Sequence, residues 1–304
     1  MRAFVTGAGG FVGRHLTAHL RAQGDEVTGL AEGVDIADEA AVVAAVAQAG
    51  PEVLYHLAGW AHVGDSWKHP TEVVRVNVGG TAAVLEACRL AGVGRILVVG
   101  SADAYGSFSP EDLPLAEERE LRPVTPYGAS KAAAEVLALQ AHRSTGVGVV
   151  RTRSFNHTGA GQHPSFVVPA LARRILEAQT GGSVEVRVGN LSARRDLLDV
   201  EDVARAYRIL AVAGAAGEAY NVCSGVAVAI EEIAVRLAEL SGAELRLVID
   251  PALVRAVDVP VVVGDVARLR ALGWEPRVPL AETLSRVLDD QRRALGLVEH
   301  QGAS

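Results

Sequence analysis

The sequence predicts an α/β protein built on a doubly wound parallel β-sheet, with a smaller C-terminal lobe interwoven with it. Short β-branched runs alternate with alanine-rich segments of helical pattern throughout the first half. The runs are apolar and unbroken, which is typical of strands covered on both faces. Of the 304 residues, 49% are hydrophobic but only 4% are aromatic, so Ala, Val and Leu must build the core.

Five of these runs are expected to form strands. They are RAFVT (2–6), EVTGL (26–30), VLYHLAG (53–59), RILVVGS (95–101) and VGVVRTRSF (147–155). Segments such as RHLTAHLRAQ and GTAAVLEACRLAG lie between them and carry the helical pattern. A further strand of the sheet is expected to be compressed into GVD at residues 33–35.

After about Asn156 the alternation loosens into short strands, helices and loops that contain glycine and proline. No repeat and no low-complexity linker separates the two halves of the chain. We therefore expect residues 1–155, with 192–226 returning to them, to form one domain. Residues 156–191 and 227–304 are expected to form the interwoven, substrate-binding lobe.

Charge and composition argue against several kinds of partner. The formal net charge of −7 argues against a nucleic-acid partner, so local arginines would have to hold any anionic ligand. Cys88 and Cys223 lack the spacing of metal sites or disulfide frameworks, so we expect buried free thiols and no metal. With no signal peptide and no run of eighteen apolar residues, the sequence predicts a cytoplasmic protein without a membrane partner.

The first predicted strand leads into the glycine loop VTGAGGFVG. In such a loop Gly7 permits a tight turn, Gly10 lets backbone N–H groups approach a pyrophosphate, and Gly13 lets helix and strand pack closely. Phe11 and Val12 open the following helix, whose N-terminus favours an anion. A purely structural turn is the alternative, but the strand–turn–helix setting predicts a dinucleotide site and hence a Rossmann-type sheet.

The acidic residue that bonds the adenosine ribose is expected at the end of the second strand, near Ala31. Glu32 stands one place later, and Asp35 is a candidate to bond the adenine amino group. An acidic side chain repels a 2′-phosphate, and no arginine lies in this stretch to bind one. NAD(H) is therefore favoured over NADP(H) as the cofactor.

The stretch TPYGASK places Tyr127 and Lys131 one helical turn apart, just after Pro126, which suits a helix start. An ammonium close to a phenol lowers the tyrosine pKa from about 10, which would let Tyr127 exchange protons near neutral pH. Taken alone, such a pair is more often a surface lysine beside a half-buried tyrosine. The surrounding motifs change that interpretation.

The glycine loop, HLAG (56–59), NVGGT (77–81), GSADAYG (100–106) and YGASK (127–131) together resemble the extended short-chain dehydrogenase/reductases that act on nucleotide sugars. The resemblance implies that Tyr127 is the acid/base of a hydride transfer, that Lys131 binds the nicotinamide ribose and that Ser101 hydrogen-bonds the reacting oxygen. Further cofactor-site residues implied by it are Leu57, Ala58, Gly59 and Asn77.

Motifs in the second half are similar to one branch of these enzymes, the GDP-mannose 4,6-dehydratases and GDP-4-keto-6-deoxy-D-mannose reductases. They are TRSFNHTGAGQ (152–162), VGNLSARRDLLDVEDVARAY (188–207), YNVCSG (220–225) and RAVDVPVVVGD (255–265). A GDP-linked sugar is the implied substrate, and guanidinium forks suit its diphosphate. The implied substrate-binding residues are Asn156, Arg173, Val188, Asn190, Arg195, Arg255 and Asp258.

Reductase and dehydratase differ in one step, the elimination of water across C5 and C6, which calls for an extra carboxylate. Asp103 stands where the branch commonly has Glu, but both subgroups carry an acid there, so this position does not decide. The short chain favours reduction of GDP-4-keto-6-deoxy-D-mannose. A dehydratase, a 4-epimerase or a reductase of another deoxysugar nucleotide stays open, as does a non-enzymatic NAD(H)-binding module.

The helical segments at 71–92 and 125–144 contain enough small apolar residues to pack against a second copy of the chain. The resemblance implies a homodimer formed by four such helices.

Overall fold

The computed structural model describes residues 1–242, 244, 246–253 and 259–297, so Arg255 and Asp258 lie outside the described residues. The strands are β1 (Arg2–Thr6), β2 (Glu26–Gly29), β3 (Val53–His56), β4 (Arg95–Ser101), β5 (Gly148–Ser154), β6 (Asn156–Thr158), β7 (Glu185–Val188), β8 (Arg194–Asp199), β9 (Ala219–Val222), β10 (Ala227–Ala229), β11 (Arg246–Ile249) and β12 (Val261–Val262). The helices are α1 (Phe11–Ala22), α2 (Glu39–Ala49), α3 (Val63–Ser66), α4 (Pro70–Val74), α5 (Gly80–Ala91), α6 (Pro126–Thr145), α7 (Val167–Thr180), α8 (Val200–Ala213), α9 (Ile230–Ser241), α10 (Ala267–Arg270) and α11 (Leu280–Ala294). A π-helical turn, Arg75–Gly79, follows α4 and leads into α5.

The described residues form two compact units. The first comprises residues 1–155, 203–223 and 264–275, and the second comprises the described parts of 156–202, 224–263 and 276–304. From the sequence, residues 192–226 are expected to return to the first domain, whereas in the structure residues 203–223 and 264–275 do so. Strand β8 stays in the second unit because it pairs with β6, β10 and β12. Helix α10 joins the first unit, where it contacts β9.

The first unit is built on a parallel sheet with six strands among the described residues, in the order β2-β1-β3-β4-β5-β9. The chain leaves β1 toward β2 on one side and continues from β3 on the other, which is the pattern of a doubly wound sheet. The predicted α/β, Rossmann-type fold class is therefore confirmed.

The strand expected at GVD does not form, and that prediction is wrong. Strand β2 is the edge of the sheet, and the chain passes through turns before α2 begins. Gly33 has a φ of 82°, a left-handed conformation that ends extended structure. Asp38 then caps α2 by accepting the N–H of Ala41 at 3.1 Å.

Helices cover both faces of this sheet. On β5, Arg153 bonds Glu135 of α6, whereas the neighbouring Ser154 bonds Tyr207 of α8 at 2.7 Å. Because successive strand residues face opposite sides, α6 and α8 lie on opposite faces. The core under α2, α5 and α6 is apolar and includes Phe4, Val42, Leu54, Val84, Ile96 and Ala138.

The second unit has its own core. Helices α7, α9 and α11 enclose it, and β11 pairs with β7 beside them. Buried carboxylates organise its turns: Asp196 accepts the N–H groups of Ser224 and Gly225, and Asp202 accepts those of Arg277 and Val278. These bonds provide partners for the two buried carboxylates and fix the turns that donate to them.

Cys88 is a buried free thiol, as predicted, and Cys223 is buried as well. Burial raises the pKa of the Cys88 thiol to about 12, so this side chain stays neutral. Within the described ranges, no helix is both long and apolar enough to cross a membrane.

Candidate functional site

The glycine loop turns sharply at the carboxyl end of β1. Gly7 has a φ of 71°, and a Cβ on it would lie 2.9 Å from the backbone nitrogen of Ala58. A Cβ on Gly13 would collide with the carbonyl oxygen of Gly7, so only glycine lets α1 pack this closely. Glycine at these two positions therefore allows the tight turn and the close helix–strand packing of a dinucleotide-binding loop.

The N-terminal end of α1 suits an anion. Gly10 is its N-cap and donates its N–H to the Gly7 carbonyl at 3.0 Å. Phe11 and Val12, both half-buried, form the first turn. In the described part of the chain no side chain caps this end, and its first turn holds no acidic residue. The positive end of the helix dipole is therefore available to a phosphate.

Glu32 and Asp35 lie exposed between β2 and α2. Asp35 Oδ1 accepts the N–H of Ala37 at 2.9 Å, and Oδ2 accepts from Arg75 Nη1 at 2.6 Å. These hydrogen bonds lower the pKa of Asp35 below its ordinary value. The loop between β2 and α2 contains no arginine of its own. The fold brings Arg75, which is more than forty positions from Glu32 in sequence, to this loop.

The segment after β3 meets the π-helical turn. A Cβ on Gly59 would lie 2.7 Å from Asn77 Oδ1 and 3.5 Å from Lys131 Nζ. Asn77 Oδ1 accepts the N–H of Trp60 at 2.7 Å, while its Nδ2 donates to Ser130 Oγ at 2.8 Å. The structure therefore brings together these expected cofactor-site and catalytic residues: Gly59, Asn77 and Lys131.

Tyr127 and Lys131 lie in the first turns of α6. Thr125 caps the helix by accepting a backbone N–H, and Pro126 occupies its first position, as the sequence predicted. Tyr127 is only 9% exposed. Lys131 Nζ lies 6.0 Å from the centroid of the Tyr127 ring and donates to the Val99 carbonyl at 3.1 Å.

Ser101 ends β4 beside this helix. Its Oγ donates to Asp103 Oδ2 at 3.0 Å and accepts the N–H of Asp103 at 3.2 Å. A Cβ on Gly128 would lie 2.5 Å from the Asp103 carbonyl oxygen, so glycine lets α6 approach this turn. The Tyr127 phenol interacts with both the Ser101 hydroxyl and the Asp103 charge. All four expected catalytic side chains, Ser101, Asp103, Tyr127 and Lys131, are thus brought together.

The expectation of a lowered tyrosine pKa is wrong. Burial raises the pKa of Tyr127 above its ordinary value, the negative charge of Asp103 raises it further, and the hydrogen bond with Ser101 offsets this only in part. Burial also lowers the pKa of Lys131 from 10.5 to about 8. Removing a phenolate from water outweighs the attraction of the nearby ammonium, so Tyr127 keeps its proton at neutral pH.

The substrate-binding residues expected in the second unit have varied surroundings. Arg195 on β8 donates to the carbonyls of Arg194 and Val259. Asn156 is exposed on β6, where it pairs with Leu197. Arg173 on α7 forms an exposed ion pair with Glu177 at 2.8 Å, and Asn190 Oδ1 accepts from the hydroxyl of Ser192 at 2.8 Å.

Val188 is a poor candidate for a side-chain contact with substrate. It is completely buried in the core of the second unit because β7 turns alternate residues, Val186 and Val188, inward. Its carbonyl accepts the N–H of Asp250 at 2.8 Å. The sequence motif that singled it out therefore includes a core residue.

The sequence reasoning missed several buried polar side chains beneath the site, namely Thr6, His56, Thr81 and Ser130. His56 could have indicated them, because it is a titratable residue inside the apolar run VLYHLAG. A buried imidazole needs hydrogen-bond partners, so polar side chains are expected around it. Among the described residues, no three His, Cys, Asp or Glu side chains are grouped as metal ligands.

The chain is similar to known proteins in sequence and in fold. A family model described as "NAD dependent epimerase/dehydratase family" matches residues 3–223. The GDP-6-deoxy-D-mannose reductase of Pseudomonas aeruginosa is 37% identical over 294 residues, which cover 95% of this chain and 96% of that protein. A dTDP-glucose 4,6-dehydratase of Streptomyces niveus is 32% identical over 264 residues, covering 84% and 74%. The solved structure of RMD from Pseudomonas aeruginosa complexed with NADPH matches with a TM-score of 0.90 and 36% identity, covering 96% of this chain and 99% of that one.

Proposed function

The chain belongs to the NAD dependent epimerase/dehydratase family, and we propose that it reduces the 4-keto group of GDP-4-keto-6-deoxy-D-mannose with NAD(P)H. The observation that carries this proposal is the likeness to a GDP-6-deoxy-D-mannose reductase along nearly the full length of both chains. The dehydratase named above is less similar and extends beyond the matched region, with 74% of its length covered.

The protonation state of Tyr127 supports reduction. A phenol whose pKa is raised holds its proton at neutral pH, which suits donation to a carbonyl oxygen rather than abstraction from an alcohol. Tyr127 would donate that proton to O4 of the sugar, and Ser101 would hold the same oxygen by a hydrogen bond. Lys131, still largely protonated at pH 7 with a pKa of about 8, would supply a positive charge beside them.

The cofactor fits the glycine loop. Gly7 and Gly13 allow the tight turn and the close packing of a dinucleotide-binding loop, and the first turn of α1 offers N–H groups to a pyrophosphate. When bound, the nicotinamide supplies the hydride that reaches C4. Glu32 favours NADH over NADPH, because a carboxylate beside the ribose repels a 2′-phosphate. Arg75 is shared between Asp35 and Glu72, so its charge is already balanced by carboxylates.

The sugar nucleotide is proposed to be held by Asn156, Arg173, Asn190, Arg195, Arg255 and Asp258. Arg195 and Arg255 are assigned to the diphosphate, since planar guanidinium groups bind phosphate oxygens in pairs. We also propose that the protein is a cytoplasmic homodimer.

A 4,6-dehydratase is the second candidate, and Asp103 is the residue that would supply its extra carboxylate. Its carboxylate touches Ser101 and its charge reaches Tyr127, so it stands where an elimination acid could act. A dehydratase regenerates its cofactor within each turnover, whereas a reductase consumes one reduced cofactor per sugar.

The test is to incubate the purified protein separately with GDP-4-keto-6-deoxy-D-mannose and with GDP-mannose, following the absorbance of NADH or NADPH and identifying the sugar-nucleotide products by NMR. We expect stoichiometric oxidation of the reduced cofactor with the 4-keto sugar, faster with NADH, and no conversion of GDP-mannose. If the protein converts GDP-mannose catalytically without added reductant, it is a dehydratase and the proposed reductase function is wrong.

A further inference from the structure

Buried hydrogen bonds link β1 to the π-helical turn beneath the candidate site. Thr6 Oγ1 lies 2.9 Å from His56 Nδ1, and His56 Nε2 lies 3.1 Å from Thr81 Oγ1. The Thr81 hydroxyl donates to the carbonyl of Asn77 at 2.6 Å. All four side chains are buried, so water does not compete for these bonds.

The same set of bonds continues from Asn77 to the catalytic tyrosine. Asn77 Nδ2 donates to Ser130 Oγ at 2.8 Å, and Ser130 donates to the backbone carbonyl of Tyr127 at 2.7 Å. We call these residues the buried network: Thr6, His56, Thr81, Asn77 and Ser130.

The direction of each bond follows from the available donors. Thr6 Oγ1 accepts the N–H groups of Leu57 and Ala58, both at 3.1 Å, which occupies its two lone pairs. Its own hydrogen must therefore go to His56 Nδ1, and the imidazole proton sits on Nε2. Nε2–H donates to Thr81, whose hydrogen is already directed at Asn77. Burial lowers the pKa of His56 to about 3, which agrees with a neutral ring.

We propose that His56 and Thr81 are positioning residues for Tyr127, acting through Asn77 and Ser130. As the Nε2–H tautomer, His56 fixes the Thr81 hydroxyl, and Thr81 fixes the backbone carbonyl of Asn77. Asn77 then presents its amide to Ser130, which holds the first turn of α6. The inference rests on the proposed function in one respect: the rate of the proposed reaction is used to measure whether Tyr127 is correctly positioned.

Loss of the Thr81 hydroxyl would leave the Nε2–H of His56 buried without an acceptor. A buried donor without an acceptor is destabilising, and the structure can relieve it by rotating the imidazole or shifting the π-helical turn. Either movement displaces Asn77 and the start of α6. A displacement of about 1 Å at a reacting group can lower a rate by about 10²-fold.

The test compares Thr81→Val, which removes the hydroxyl at nearly constant shape, with Thr81→Ser, which keeps it. Thr81→Val should lower kcat for the 4-keto sugar by about tenfold or more with KM changed by less than about threefold, and Thr81→Ser should restore kcat to within about threefold. Cys88→Ala, a cavity variant in the same helix α5, controls for lost stability and should keep kcat. A Thr81→Val enzyme with the kcat of Cys88→Ala, or a Thr81→Ser enzyme as slow as Thr81→Val, would overturn the proposal.

A second measurement needs no substrate. In protein labelled with ¹⁵N-histidine, the NMR spectrum of His56 should show a proton on Nε2, none on Nδ1, and no titration between about pH 5 and pH 8. A proton on Nδ1, or titration in that range, overturns the inferred direction. If the wild-type protein leaves the 4-keto sugar unchanged, the proposed function fails while this spectrum still decides the tautomer.

Discussion

The chemistry of Tyr127 is decided by its burial more than by the lysine one turn later. Its pKa is raised although Lys131 lies 6.0 Å from the ring centroid. Burial acts on both groups, disfavouring the charged form of each: the phenol keeps its proton more firmly and the ammonium loses its proton more easily. Tyr127, which was expected to exchange protons near neutral pH, is thus better suited to donate a proton.

The first prediction concerns the tyrosine itself. Tyr127→Phe should lower kcat by about 10²-fold or more while leaving the dissociation constant of the cofactor nearly unchanged, because a proton donor is lost and a binding group is not. Steady-state kinetics and cofactor titration by fluorescence measure the two quantities. Near-normal turnover in this variant would show that another group donates the proton.

The second prediction is a pH profile. Since burial lowers the pKa of Lys131 to about 8, kcat/KM should be level below that pH and fall above it as the ammonium is lost. Tyr127 stays protonated throughout this range, so the decline belongs to the lysine. Lys131→Arg keeps its charge at every accessible pH. In that slower variant the decline in kcat/KM should move to higher pH. If the pH at the midpoint of the decline is unchanged, Lys131 is not the group whose titration causes it.

At the scale of elements, α6 ties the reacting residues to the sheet through a buried charge cluster. Tyr127, Lys131 and Glu135 follow one another at intervals of four residues, on one side of the helix. Glu135 accepts from both Arg151 and Arg153 of β5. Arg153 also lies with its guanidinium carbon 4.8 Å from the Tyr105 ring centroid.

The third prediction follows from this cluster. Glu135→Gln should lower the free energy of unfolding by about 3 kcal/mol or more, because it leaves two arginine charges near the core without their carboxylate. Glu86→Gln breaks an exposed pair with Arg89 on α5 and should cost less than about 1 kcal/mol. Urea denaturation of the two variants gives the comparison, and equal losses would contradict the assigned role of the buried cluster.

The sequence predicted those elements whose signals are local. The glycine loop, the alternation of strands and helices, and the start of α6 at Pro126 all follow from neighbouring residues. The strand expected at 33–35 was mispredicted because strand pairing depends on distant segments, and the burial of Val188 was not foreseen for the same reason. The buried network was missed for the same reason: Thr6, His56, Thr81 and Ser130 meet only after the sheet forms.

At the scale of the whole molecule, α5 and α6 carry apolar side chains that the fold leaves exposed. Leu90 is 56% exposed and Val136 is 63% exposed. A shallow groove of about 310 Å³ runs along α6, lined by Val136, Leu139, Gln140, Arg143 and Ser144. A second copy of the chain, packed by its own α5 and α6, would cover this surface.

The fourth prediction tests that dimer. Light scattering should give twice the chain mass of 31.7 kDa for the wild-type protein. Val136→Glu should give the mass of one chain, because it buries a charge at the centre of the contact. Val212→Glu, at an equally exposed valine on α8, should leave the dimer intact. A wild-type mass of one chain at all concentrations would refute the dimer.

The central claim is that hydride reaches C4 of the sugar while Tyr127 protonates O4, and the fate of a labelled hydride tests it most directly. The protein is incubated with GDP-4-keto-6-deoxy-D-mannose and NADH carrying deuterium at the transferable position of the nicotinamide, and the product is examined by NMR. We expect one deuterium at C4 for each cofactor oxidised, in a product bearing a 4-hydroxyl group. An unlabelled sugar, or label at any carbon other than C4, would contradict it.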